Sequence, residues 1–144
     1  MRALLDINVL IALLDPDHVF HDRAHTWWKG QARSGWASCP LTENGLVRIM
    51  SNPAYSRAEK FGPGDLIERV DLFASQSNHE FWPDELSLRD KTVFARDRLH
   101  SSRTTTDIYL LALAVKHRGF LATFDPAIPV SAVRGAATES LFAI

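Results

Sequence analysis

Four acidic side chains stand where a bare carboxylate is unfavourable. Asp6 interrupts the apolar run "ALLDINVLIALL", Glu43 stands just before "NGLVRIM", Asp107 precedes "IYLLALAV", and Asp125 follows "FLATF". At the margin of a buried segment an acid must be hydrogen-bonded, paired or bound to a cation if it is to stay charged. Taken singly, Glu43 and Asp107 are also explained as acids in the first turn of a helix, where the dipole favours them. Asp125 before Pro126 is likewise a turn sequence. Asp6 has no such simple account. If the four acids meet, their mutual repulsion raises their pKa values unless a cation neutralises them. Hard oxygen ligands with open positions suit Mg2+ or Mn2+, and such a site supports metal-assisted hydrolysis of a phosphodiester.

Meeting requires elements that bring them together. Short apolar runs alternating with helical periodicity point to an α/β fold with a largely parallel sheet, in a single domain spanning residues 1–144. "RALLD" reads as a buried strand, with a helix starting at once in "NVLIALLD". Phe20, Ala24, Trp27, Trp28 and Ala32 form one helical stripe over 20–32, which makes the two tryptophans core or partner-facing residues. "GWASCP" is a second strand. Thr42 is then the expected N-cap of the helix that carries Glu43, Leu46, Val47 and Met50, with Pro53 beyond its end. "NPAYSRAEKFGPG" is a loop or broken helix, 65–76 a helix, and "HEFW" a short strand. The pattern predicts another helix from Ser87 to Leu99. Thr105 or Thr106 is expected to cap a helix whose body, Ile108 to Val115, is apolar on nearly every face and so buried on most sides. Gly119 is expected as its C′ residue, and "FLATF" as a strand ending at Asp125. The tail adds one more strand or edge. In this arrangement Asp6 and Asp125 end strands, while Glu43 and Asp107 open helices, all on the sheet edge where ligand sites form.

Composition adds limits. The chain has 46% apolar and 23% charged residues, ordinary for a soluble globular protein, and a formal net charge of −1. Any nucleic-acid contact must therefore use a local basic patch. One cysteine, Cys39, allows no internal disulfide and fits a reducing cytoplasm, with a small buried apolar residue as its simplest role. Asp6 and Asn8 break the N-terminal apolar run and no small-residue cleavage site follows, so export is not expected. No apolar stretch is long enough to cross a bilayer, so no membrane partner is expected.

"LLDINVLIALL", "LTENGLVRIM" and "TTTDIYLLALAVKHRGFLATFD" together resemble the PIN-domain ribonucleases, most closely the VapC-type toxins of bacterial toxin–antitoxin modules. The resemblance covers nearly the whole chain, with the acids in order and spacing. It implies a PIN-like α/β/α sandwich with a central parallel sheet and a Mg2+- or Mn2+-dependent endoribonuclease that leaves a 5′-phosphate and a 3′-hydroxyl. It also implies neutralisation by a cognate antitoxin and a tendency to form homodimers. Asp6 matches the first family acid, a direct metal ligand. Glu43 and Asp107 match the second and third, binding metal directly or through water, and Asp125 the variable fourth. Asn8 matches a residue that orients the first acid or a water, and Thr123 a small hydroxyl residue that accompanies the last. Pro126 stands where a polar or basic residue often follows, and so alters the expected substrate contacts.

Other readings compete. His18, His21 and His25 have a helical metal-binding spacing, but His18 precedes the helix and nothing completes a tetrahedral set, so packing or surface roles are expected. Arg96, Arg98, His100 and Arg103, with Arg48, Arg57 and Lys60, form either an RNA-binding rim or a solvated face paired with Asp97 and Glu59. A basic rim also suits an antitoxin's acidic tail. A haloacid-dehalogenase-type phosphatase would need an aspartate at position 8, where this chain has Asn8. A non-catalytic PIN-like RNA- or protein-binding module would usually have lost one of the first three acids, and all are present. The 20–32 and 65–76 helices, with Trp27, Trp28 and Phe73, are the expected dimer or antitoxin surface.

Overall fold

A computed structural model describes all 144 residues. Its strands are β1 (Ala3–Leu5), β2 (Trp36–Ser38), β3 (His79–Phe81), β4 (Phe120–Thr123) and β5 (Leu141–Ala143). They form one five-stranded sheet in the order β3-β2-β1-β4-β5, every neighbouring pair parallel. Strands β1, β2 and β4 are buried on both faces, which is why they read as unbroken apolar runs.

Alternate residues of these strands feed two cores. Ala3, Leu5, Trp36 and Ala122 face one layer, with helices α1 (Ile7–Leu14), α2 (His21–Gln31), α3 (Pro40–Met50) and α4 (Pro63–Ser75). Leu4, Ala37 and Leu121 face the other, filled by α5 (Thr105–Lys116) together with Phe94, Ile128 and Val133. The result is the expected α/β/α sandwich. Every residue of α5 from Ile108 to Ala114 is buried, as its all-round apolar character requires.

Several boundaries differ from the sequence reading. Residues 87–99 are not helical but a chain of turns ending in a 3-10 turn at Arg96–Arg98. Local side chains claim the backbone there: Asp90 Oδ1 accepts from the Thr92 N–H at 2.8 Å, and Ser87 Oγ from the Arg89 N–H at 3.2 Å. Phe94 bridges antiparallel to Val133, and the Ala95 N–H donates to the Ala132 carbonyl at 2.9 Å, so tertiary pairing replaces helix bonds.

Helix α3 begins one turn early, at Pro40 with Cys39 as N-cap. Thr42 is therefore the third helical residue, and its hydroxyl accepts from the Cys39 N–H at 3.0 Å. Cys39 is fully buried, and burial pushes its thiol up to about 11. Thr104, not Thr105 or Thr106, precedes α5. At the far end Arg118, with φ 56°, takes the left-handed position expected of Gly119. The Gly119 N–H then reaches the Ala114 carbonyl at 2.9 Å and the Arg118 N–H the Val115 carbonyl at 3.0 Å, a Schellman closure. Gly119 is required for a different reason: a Cβ there would lie 2.5 Å from the Arg2 carbonyl oxygen. Strand β4 ends at Thr123, two residues before Asp125.

Candidate metal centre

The order of the strands determines where a site can form. From β1 the chain winds outward through β2 to β3, then returns to place β4 and β5 on the other side of β1. The crevice between the C-terminal tips of β1 and β4 is thus the topological switch point, where ligands bind in open α/β sheets. Asp6 leaves β1 directly into this crevice, and Thr123 and Asp125 leave β4 beside it.

Asp6 is buried and held by two donors. The Ile7 N–H donates to Oδ1 at 2.7 Å as the cap of α1, and the Thr123 hydroxyl donates to Oδ2 at 2.7 Å. Burial raises its pKa; the Thr123 and Ile7 hydrogen bonds oppose that, and the charge of Asp125 adds to it. Thr123 also accepts from the Asp125 N–H at 3.1 Å, so one hydroxyl ties the two strand-tip acids together. Asp125 closes a turn by accepting from the Ala127 N–H at 2.8 Å, and so combines the turn role with a place in the crevice. Asp107, in the first turn of α5, is pushed up to about 6 by burial and by the charges of Asp6 and Asp125. None of these three acids takes part in the chain's ion pairs, which use Arg2, Arg98, Lys116 and His117.

Glu43 stands apart. Its carboxylate accepts from the Ser38 hydroxyl at 2.6 Å, and Ser38 in turn lies 2.7 Å from His79 Nε2. With His79 it lines a cavity of about 270 Å³ between α3, α4 and β3. Burial holds the His79 imidazole below its ordinary pKa, against the pull of the Glu43 charge. No three acidic, histidine or cysteine side chains approach closely enough to hold an ion as they stand. Asn8 is exposed on the first turn of α1, and Ile7 and Thr123, rather than Asn8, orient Asp6.

The partners Ser38 and His79 were not singled out in the sequence. Ser38 had a legible signal, because it ends β2 as Thr123 ends β4. His79 had none, since its approach depends on the β2–β3 register that sets it beside Trp36. Asp15 was also missed; it is buried at the end of α1, where it accepts from the Asp17 N–H and the Tyr55 hydroxyl. The histidines have structural tasks: His21 Nδ1 lies 2.7 Å from the Ala12 carbonyl and His25 Nε2 2.9 Å from that of Leu13, closing the end of α1. Of the expected rim, Arg96 and Arg98 have partners within the chain. Arg96 donates to the Arg89 carbonyl at 2.8 Å, Arg98 pairs with Asp97 at 3.7 Å, and Arg48 closes α3 at the end opposite Glu43.

A parallel sheet with acids gathered at its switch point, between helices on both faces, defines a class before any relative is considered. The chain belongs to the PIN-domain family, whose profile matches residues 3–132, and within it to the VapC-type ribonuclease toxins. It is 49% identical to Ribonuclease VapC44 of Mycobacterium tuberculosis over 98% of both chains. It is 42% identical to Ribonuclease VapC39 of the same organism, over 94% of this chain and 96% of that one. The crystal structure of VapBC2 from Rickettsia felis bound to a DNA fragment from their promoter superposes with a TM-score of 0.56. That match covers 90% of this chain and 94% of the other at 15% identity, a likeness of fold.

Proposed function

We propose that this protein is a Mg2+- or Mn2+-dependent endoribonuclease whose metal is held at the β1–β4 crevice by Asp6, Asp107 and Asp125. The observation that carries the reading is a set of three neighbouring carboxylates with no cationic partner, one of them raised to about 6. Such a donor set would suit a hard divalent cation once the side chains close on it, and the ion would offset most of their charge. A cation bound there would acidify water and stabilise negative charge on the phosphate and the leaving oxygen.

The chain's own residues then have separate tasks. Thr123 and the Ile7 N–H hold the Asp6 carboxylate in one orientation. Asp107 keeps a proton on its carboxyl more readily than a free aspartate and would bind the cation in its ionised form, so that its binding would weaken as pH falls through about 6. Asp125, anchored through its N–H to the same Thr123 hydroxyl, holds a ligand or a water on the β4 side. Glu43, whose Oε1 accepts from Ser38, would offer its other oxygen to the metal or to a bound water. Asn8, exposed two residues after Asp6, would meet substrate or water and makes no hydrogen bond to the acid.

Cleavage of RNA with and without added Mg2+ or Mn2+, comparing wild type with Asp6→Ala, tests the proposal. Activity is expected only in the metal-supplied wild type, and equal cleavage in EDTA would overturn it. Membership among the VapC-type toxins supports a cognate antitoxin as partner and a cytoplasmic setting, and no helix is long and apolar enough to cross a membrane. It also supports a homodimer. Helix α4 leaves Ile67 58% and Leu72 56% exposed, whereas Trp28 and Phe73 pack on each other at 5.3 Å. Light scattering of the purified chain should give twice the monomer mass; a monomer at micromolar concentration would count against it.

A further inference from the structure

Phe124 separates Thr123, which is bonded to Asp6, from Asp125. Its ring lies 4.8 Å from that of Phe20 and is stacked near-parallel to His18 at 6.5 Å. Over this cluster stands a cation. From the first turn of α2, Arg23 places its guanidinium carbon 5.4 Å from the centre of the Phe20 ring and 5.8 Å from that of Phe124. A cation over aromatic rings uses none of its N–H donors in that contact, so those of Arg23 stay free. Arg23 is exposed, forms none of the chain's ion pairs and donates no side-chain hydrogen bond within the chain. Asp22 is its immediate neighbour in the sequence, yet the two do not pair. An arginine fixed by aromatic rings with all its donors open is a receptor for an anion with paired oxygens, and a phosphodiester has that geometry.

We propose that Arg23 binds a phosphate of the RNA strand next to the one being cleaved, with Phe20 and Phe124 as the positioning residues that aim it. The proposal rests on the ribonuclease reading above. It explains how a chain with a net charge of −1 holds a polyanion beside three carboxylates. One pre-positioned cation flanks the acids and engages the backbone without reading the base. It also gives Phe124 a role beyond packing, because the residue between two site positions supports the substrate's neighbouring phosphate.

The test separates binding from cleavage. In the full chain carrying Asp6→Asn, affinity for a labelled mixed-sequence RNA oligonucleotide is measured by fluorescence anisotropy over a salt series, with and without Arg23→Ala. Arg23 is exposed, and unchanged melting curves confirm that the fold survives. The expected result is a roughly five- to twentyfold loss of affinity, with a salt slope shallower by about 0.7 for the one lost phosphate contact. Arg23→Lys should restore the slope while recovering only part of the affinity, since the point charge remains and the fork is lost. In the cleaving enzyme the loss from Arg23→Ala should fall on KM rather than on kcat. Unchanged affinity and slope in Arg23→Ala, with wild type cleaving normally, would overturn the role of Arg23 alone. A wild type that cleaves no RNA with either metal would overturn the ribonuclease reading and this inference with it.

Discussion

The Thr123 hydroxyl sits between two acids: it donates to Asp6 and accepts from the Asp125 N–H. Thr123→Val keeps the β-branched shape of a buried strand residue but leaves an Asp6 oxygen and a backbone N–H without their partner. Loss of a group that orients a metal-binding carboxylate typically lowers affinity or activity by about 10- to 100-fold. Thr123→Val is therefore expected to weaken Mn2+ binding, measured calorimetrically, by a factor in that range, and Thr123→Ser to recover most of it. Unaltered Mn2+ affinity in the valine variant would show that Asp6 needs no such support. At this scale the sequence was informative about residue types and silent about rotamers. The acids were legible from their places at strand ends and helix starts, Asn8 and Thr123 only through the family resemblance. The direction of Glu43 was not, because Ser38 reaches it from β2, 5 positions away, and His79 reaches that Ser38 from β3, 41 positions further along the chain.

Elements were legible where burial repeats at a helical or strand period, and illegible where tertiary pairing decides. Helices α1, α2, α4 and α5 and the strands lie within a few residues of their predicted places, because apolar spacing alone selects them. Residues 87–99 carried apolar spacing too, but Asp90, Ser87 and the bridge from Phe94 to Val133 drew the backbone into turns. Glycines separate the two kinds of constraint. Gly45 lets α3 approach α1, since a Cβ there would meet the end of the Ile7 side chain at 2.5 Å. Gly119 faces the Arg2 backbone oxygen, which cannot move without breaking the β1–β4 pairing, and the Trp82 ring at 2.9 Å. Gly119→Ala should therefore lower the urea midpoint by an amount equivalent to about 1–3 kcal/mol. Gly30, inside α2, has nothing within 4 Å of an added Cβ, and Gly30→Ala should raise stability by about 0.5–1 kcal/mol. Equal shifts of the same sign in the two variants would remove the steric account of Gly119.

At the scale of the whole molecule, β1, β4 and α5 meet with their charges unbalanced, so folding and the site are linked. Burial and the charges of Asp6 and Asp125 raise Asp107 from 3.8 to about 6 in the folded chain. A raised carboxyl pKa means that the folded state holds the proton more tightly than the unfolded one. Its contribution to stability is complete below the unfolded value of about 3.8 and disappears as pH rises through about 6. In EDTA, then, this group makes the protein lose stability between about pH 4 and pH 6. Asp107 is only half-buried, so solvent screening reduces the effect to about 1 kcal/mol. Asp107→Asn should remove that slope and leave the metal-free protein more stable than wild type at pH 7.5. Mn2+ should reverse the order, raising the melting temperature of wild type while adding little to Asp107→Asn, because binding only to the folded state stabilises it by mass action. Thermal melts from pH 4 to pH 8, with EDTA and with Mn2+, read both effects. An Asp107→Asn protein no more stable than wild type in EDTA would mean that the charges at the β1–β4 crevice do not oppose folding. The sheet edge would then need no cation to complete it.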